Sequence, residues 1–120
     1  MKTVLVVDDE QDIAEAIQAI LEEEQLRVIV CGNGREALAR LKDEKPDLAI
    51  IDVMMPVMNG YETIDAIRKD ASLRFPILVM SAIQPPRAKA EEQRWDGFLK
   101  KPFSLRDLVD TVARLTGAGA

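Results

Sequence analysis

A chain of 120 residues, 48% hydrophobic and 31% charged, has the size of one ordinary domain and can bury a single core, with no linker or repeat to divide it. Its formal charge of −5, with no Lys/Arg run longer than two, argues against direct nucleic-acid binding, and no apolar stretch approaches the length of a membrane span. The single cysteine, Cys31, allows no internal disulfide, and the absence of histidine leaves only carboxylate, hydroxyl and amine groups for chemistry.

Thr3 to Val7 predicts the first strand. It is apolar at consecutive positions, which suits a strand covered on both faces, and Asp8-Asp9-Glu10 closes it too soon for a signal segment, so a cytoplasmic location is expected. Ile13, Ile17, Ile20 and Leu21 then recur at helical spacing. Arg27 to Cys31 predicts a second strand, followed by a helix stripe of Ala37, Leu38 and Leu41. Leu48 to Ile51 is the third strand, with Pro46 just before it, where a missing N–H costs little. Ile64, Ile67 and Ala71 mark a third helix, and Ile77 to Met80, after Pro76, a fourth strand. Pro85 to Trp95 is poorly patterned; Ala88, Ala90 and Trp95 suggest a short helix with one buried side. Phe98-Leu99 is the last strand, and Leu105, Leu108, Val109 and Val112 line the clearest helix, which Ser104 opens as a cap.

Alternation of five strands with five helices predicts an α/β doubly wound sandwich with a parallel sheet, flavodoxin-like in its strand order 2-1-3-4-5 by analogy with folds of this size. Residues 1–116 form this domain, and 117–120 a small-residue tail expected to be flexible.

Ligands in open α/β sheets bind beyond the carboxyl ends of the strands, at the switch point between the first and the third. Just past the expected strands stand Asp8-Asp9, Asp52, Ser81 and Lys101-Pro102. Singly, each has an ordinary use: the acids before a helix can cap it, Asp52 and Ser81 suit turns, and Lys101 suits a loop. Together they bring three carboxylates, a hydroxyl and an ammonium to one sheet edge. Like charges so close are unfavourable unless a cation lies among them or a carboxyl takes a proton. With oxygen donors only, Mg²⁺ or Mn²⁺ is the expected ion, and a carboxylate beside it can attack a phosphoryl group. Lys101 would then supply a point cation and Ser81 a hydroxyl donor.

These residues resemble the receiver domains of two-component response regulators. The likeness covers essentially the whole chain, through Val4-Leu5-Val6-Val7-Asp8-Asp9-Glu10, Pro46 to Gly60 with Asp52 and Pro56, Val79-Met80-Ser81-Ala82, and Lys101-Pro102-Phe103. It implies that Asp52 is the phosphoacceptor, that Asp9 and the Met54 backbone carbonyl ligate Mg²⁺ directly, and that Asp8 acts mainly through bound water. It also implies that Ser81 and Lys101 bind the phosphoryl group, that the Lys101-Pro102 bond is cis, and that Phe98 is the aromatic switch. Ser81 and Phe98 would then move together and alter the surface of the fourth helix, fifth strand and fifth helix. The implied phosphodonor is a histidine of a sensor histidine kinase or histidine phosphotransfer protein. A downstream protein target would read the switch, with no nucleic acid or membrane involved, and the chain would act as a monomer or a phosphorylation-dependent dimer. Such a chain is a switch that assists its own phosphorylation and dephosphorylation, not a turnover enzyme.

Three departures bear on the output. The stretch from Ser81 to Lys101 is about two residues shorter than is usual in the resembled family and carries Pro85-Pro86, Arg94-Trp95 replaces a small pair, and Phe98 replaces a frequent tyrosine. Trp95 is either core filler or a partner anchor, with filler preferred. Three other readings compete. A phosphatase using an aspartyl phosphate needs a carboxylate two residues after the nucleophile, where Met54 stands. A pseudo-receiver would keep the fold as an interaction module without being phosphorylated, against which the complete residue set argues. A nucleotide-binding domain lacks its Gly-rich loop after the first strand.

Overall fold

The computed structural model describes residues 1–55, 57–85 and 94–117. The strands are β1 (Thr3–Val7), β2 (Arg27–Cys31), β3 (Leu48–Asp52), β4 (Ile77–Ser81) and β5 (Gly97–Lys100). Among the described residues the helices are α1 (Gln11–Glu23), α2 (Gly34–Arg40), α3 (Gly60–Lys69) and α4 (Leu105–Thr116). Every strand pair is parallel, in the order β2-β1-β3-β4-β5, the flavodoxin-like arrangement expected. A fifth helix was expected between Pro85 and Trp95; residues 86–93 of that stretch lie outside the described residues.

The apolar runs are continuous because each strand is covered twice. Alternate side chains point to opposite faces. Leu5, Val7, Ile51 and Val79 therefore meet Ala37, Ile64 and Ile67 of α2 and α3. Val4, Val6, Ile50 and Met80 meet Ala14, Ile17 and Leu21 of α1 and Leu108 and Val112 of α4. Three of the four helices open on a side-chain cap. Asn33 Oδ1 accepts from the Glu36 N–H at 2.9 Å, Asn59 and Glu62 form a reciprocal capping box, and Ser104 Oγ accepts from the Asp107 N–H at 3.0 Å.

Two stripe residues are exposed, and Val109 is only half-buried and belongs to neither apolar cluster. Ala71 is exposed in a turn, because Asp70 adopts an extended backbone and ends α3 after Lys69. Leu105 is 59% exposed as the first residue of α4, one turn before the stripe reaches the sheet at Leu108. β3, β4 and β5 each run beyond the apolar residues to a polar one, since the ladder pairs Asp52 with Met80 and Ser81 with Lys100. Leu26, Val53, Met55, Leu73 and Phe75 join the core from connecting segments, where no periodicity marks them.

Away from the carboxyl ends of the strands, Arg68 of α3 ties three segments together. It donates to the carbonyls of Arg94 at 2.9 Å and Phe75 at 3.1 Å, and to the Asp96 carboxylate at 3.0 Å. Asp96 Oδ2 also accepts from the Ile77 N–H at 2.8 Å. Trp95 packs half-buried on the α2 and α3 side of the core, its ring centroid 5.8 Å from that of Tyr61.

Candidate functional site

β1 and β3 are neighbours in register, Val7 beside Ile51, so Asp8 and Asp52 reach the sheet edge side by side. Both are buried, at 1% and 3% exposure. Asp8 is fixed by its own surroundings: its N–H donates to the Cys31 carbonyl at 3.1 Å, and its Oδ1 accepts from the Glu10 N–H at 2.9 Å. This is a turn bond ahead of α1 and not the helix cap expected of these acids, since Glu10 in the N-cap position makes no side-chain cap bond, and it occupies only one Asp8 oxygen. Asp8 Oδ2 faces Lys101.

Lys101 arrives from the end of β5, where its N–H donates to the Ser81 carbonyl at 2.9 Å and the following peptide to Pro102 is cis. Its Nζ lies 3.2 Å from Asp8 Oδ2, 3.4 Å from Asp52 Oδ1 and 3.8 Å from Glu10 Oε1. One ammonium against three carboxylates leaves two negative charges unmatched among the described residues. The cost falls on Asp52. Burial, and then the charge of Asp8, push its carboxyl up to about 6 against the pull of Lys101, with Asp9 adding to the rise. Burial alone would lower the Lys101 ammonium, but the charges of Asp52 and Asp8 outweigh it and hold its pKa above the ordinary value.

Asp8, Glu10 and Asp52 each offer an oxygen within 4.8 Å of the other two. An all-oxygen donor set short of two positive charges fits a hard divalent cation, and Mg²⁺ suits it because it needs few protein ligands and keeps waters. Asp9 is exposed and stands outside this trio, acting on Asp52 through its charge. Glu10, whose place just before α1 suggests a helix cap, is the third member. Its signal was the run of three acids after β1. Met54 lies just beyond β3 with its side chain 66% exposed.

Ser81 ends β4, buried, and its Oγ accepts from the Ile83 N–H at 3.1 Å. Phe98 sits beside Val79 in the sheet, half-buried against the α2 and α3 side of the core. The sheet thus gathers Asp8, Asp52 and Lys101, sets Ser81 and Phe98 on the adjoining strands, and leaves Asp9 at the rim. A carboxylate held beside a divalent cation and an ammonium can act as a nucleophile toward a phosphoryl group.

A family model described as the response regulator receiver domain matches residues 4–113. The alkaline phosphatase synthesis transcriptional regulatory protein PhoP of Bacillus subtilis is 39% identical over 109 residues, which are 89% of this chain and 45% of that protein. The transcriptional regulatory protein CpxR of Escherichia coli is 36% identical over 112 residues, 93% of this chain and 48% of that protein. The chain thus spans about half the length of these curated relatives. Chemotaxis protein CheY4 of Vibrio cholerae has a similar structure, with a TM-score of 0.88 at 36% identity, covering 96% of this chain and 98% of that one. Response regulator TrrA of Thermotoga maritima, solved in complex with Mg²⁺-BeF, gives 0.86 at 33% identity, covering 96% and 99%.

Proposed function

The chain belongs to the response regulator receiver domain family, and on that premise we propose that Asp52 takes a phosphoryl group from a histidine of a sensor kinase or phosphotransfer protein. The observation that carries this assignment is the burial of Asp52 within reach of both Asp8 and the Lys101 ammonium at the carboxyl edge of a parallel sheet. In the transfer, an Asp52 oxygen forms a new P–O bond while the P–N bond to the donor imidazole breaks, and the imidazole leaves with the bonding pair.

Lys101 stands where a phosphoryl oxygen arriving at Asp52 would meet it, and the Ser81 hydroxyl would donate to a second oxygen. Of Asp8, Asp9, Glu10, Asp52 and the Met54 backbone carbonyl, two or three would ligate Mg²⁺ or Mn²⁺ directly and the others would act through bound water, leaving a place for a phosphoryl oxygen. Bound there, the ion would neutralise the charge that gathers on the phosphoryl oxygens. Phe98 would turn with Ser81 and change the surface around β5 and α4, so phosphorylation biases a two-state equilibrium. A recess of about 420 Å³ lined by Ile13, Ala82, Lys101, Pro102 and Phe103 shares Lys101 with the site and would suit an apolar flank of the phosphodonor protein.

On this reading residues 1–116 are the receiver unit, the chain is a switch without a separate substrate, and its place is the cytoplasm. No described helix is long and apolar enough to cross a membrane. The downstream partner is a protein that reads the altered surface, and the chain acts as a monomer or as a dimer formed on phosphorylation. The test is incubation with acetyl phosphate and Mg²⁺ followed by intact-mass measurement. The native chain should gain one acid-labile phosphoryl group and Asp52→Asn none; an equal adduct on both, or none on the native chain, would overturn the assignment. Phe98→Ala should still accept phosphate yet lose the phosphorylation-dependent change in partner binding, and a matched loss of both would contradict the division of roles.

A further inference from the structure

We propose that Gly60 is a positioning residue for Asp52, acting through the side chain it lacks. The inference rests on the reading of Asp52 as phosphoacceptor and adds to it the element that sets where Asp52 stands. Gly60 is the buried first residue of α3. A Cβ at that position would overlap the Asp52 carbonyl oxygen, lie 2.7 Å from Val53 Cα and 3.0 Å from the Asp52 carbonyl carbon. All three are backbone atoms at the end of β3, so no side-chain rotation can relieve the overlap.

Neither partner can easily give way. β3 lies between β1 and β4, and the Val53 N–H donates to the Met80 carbonyl at 3.1 Å. On the other side, the Asn59 and Glu62 capping box fixes the first turn of α3. The Gly60 N–H donates to the Val53 carbonyl at 2.9 Å and closes the loop that carries Met54. With both elements fixed, the thickness of residue 60 sets the height of the Asp52 backbone. The contact from Asp52 Oδ1 to Lys101 Nζ, at 3.4 Å, is already near the limit of a hydrogen bond, so a shift of a few tenths of an ångström would change it.

Gly34 supplies the control. A Cβ there would also collide, with Thr63 Oγ1, and would lie 3.1 Å from Met58 Cγ and Sδ, but these are side-chain atoms between α2 and α3 and none belongs to Asp52. Gly60→Ala and Gly34→Ala should both lower the thermal midpoint. Only Gly60→Ala should move the Asp52 and Val53 amide resonances of the metal-free protein, and it should weaken Mg²⁺ binding by calorimetry, and slow phosphorylation by acetyl phosphate, by about tenfold or more.

Mg²⁺ affinity and phosphorylation rate within about twofold of native in Gly60→Ala would overturn the proposal, as would an equal loss in Gly34→Ala. Should Gly60→Ala fail to fold, the milder pair Asn59→Ala and Asn59→Ser decides. Removing the cap should weaken Mg²⁺ binding severalfold, and the serine, which caps again, should restore it; no change in Asn59→Ala would overturn the proposal. Failure of the native protein to take phosphate would instead strike the underlying assignment, and the metal-free amide resonances would still report whether Gly60 sets the Asp52 backbone.

Discussion

At Asp52 a single carboxyl carries most of the electrostatic cost of the site. Its pKa of about 6 in the folded chain compares with an ordinary value of 3.8. Between these two values the folded state binds the proton that the unfolded chain has released, so stability from this group is complete below 3.8 and lost as pH rises through about 6. In metal-free buffer, native stability in urea should therefore fall relative to Asp52→Asn across that window, and saturating Mg²⁺, which favours the charged carboxylate, should flatten the difference. Parallel profiles for the two proteins would remove the premise that Asp52 is strained by burial and Asp8. Val57 is strained in another sense. It is β-branched, 70% exposed, and has a left-handed φ of 69°. Val57→Asn should raise the urea-unfolding free energy by about 1 kcal/mol, because asparagine tolerates this backbone and little packing is lost. At this scale the arrival of Asp8, Asp52 and Ser81 at the strand ends was legible, since each directly follows an apolar run, and Lys101 comes one residue later, after Lys100. Glu10 was not. Whether the second or third acid turns toward the site depends on backbone angles in the β1 to α1 turn, which residue type does not specify.

Strands were easier to locate than helix ends. The continuous apolar runs identified a sheet covered on both faces, and alternation with helical stripes identified a parallel one. The lengths were less legible, because a ladder continues by backbone pairing into residues such as Asp52 and Ser81 that carry no apolar signal. Ala71 misled for the converse reason: it keeps the spacing of Ile64 and Ile67, but the extended backbone of Asp70 has already ended α3. Arg68 shows what periodicity cannot reveal. It is a charged residue outside the apolar stripe, yet it satisfies the carbonyls of Phe75 and Arg94 and meets Asp96, holding α3 against the entries to β4 and β5. Arg68→Ala should cost about 2–3 kcal/mol in urea unfolding, since it leaves several partners of a charged donor unsatisfied at once. A loss no larger than that of an exposed surface arginine would mean that water replaces these bonds freely.

For the molecule as a whole, Cys31 offers a measure of opening. The thiol is 1% exposed and burial, followed by the charge of Glu36, pushes it up to about 11. Alkylation near neutral pH should therefore wait for the fold to open. Where the opening exposes the Mg²⁺ ligands too, Mg²⁺ at about 100 times its dissociation constant should slow labelling roughly 100-fold. Labelling at the speed of a free thiol, or a rate indifferent to Mg²⁺, would show that the β2 region opens without the carboxylate site. The contact between Tyr61 and Trp95 has a consequence of another kind. The chain contains one tyrosine and one tryptophan, and their rings are 5.8 Å apart across the joint between α3 and the entry to β5. Light absorbed by Tyr61 is handed to Trp95 while that joint is closed and re-emitted by the tyrosine when it parts. Ultraviolet fluorescence is therefore a dye-free optical gauge of this one seam, readable on the unmodified chain while it is being phosphorylated.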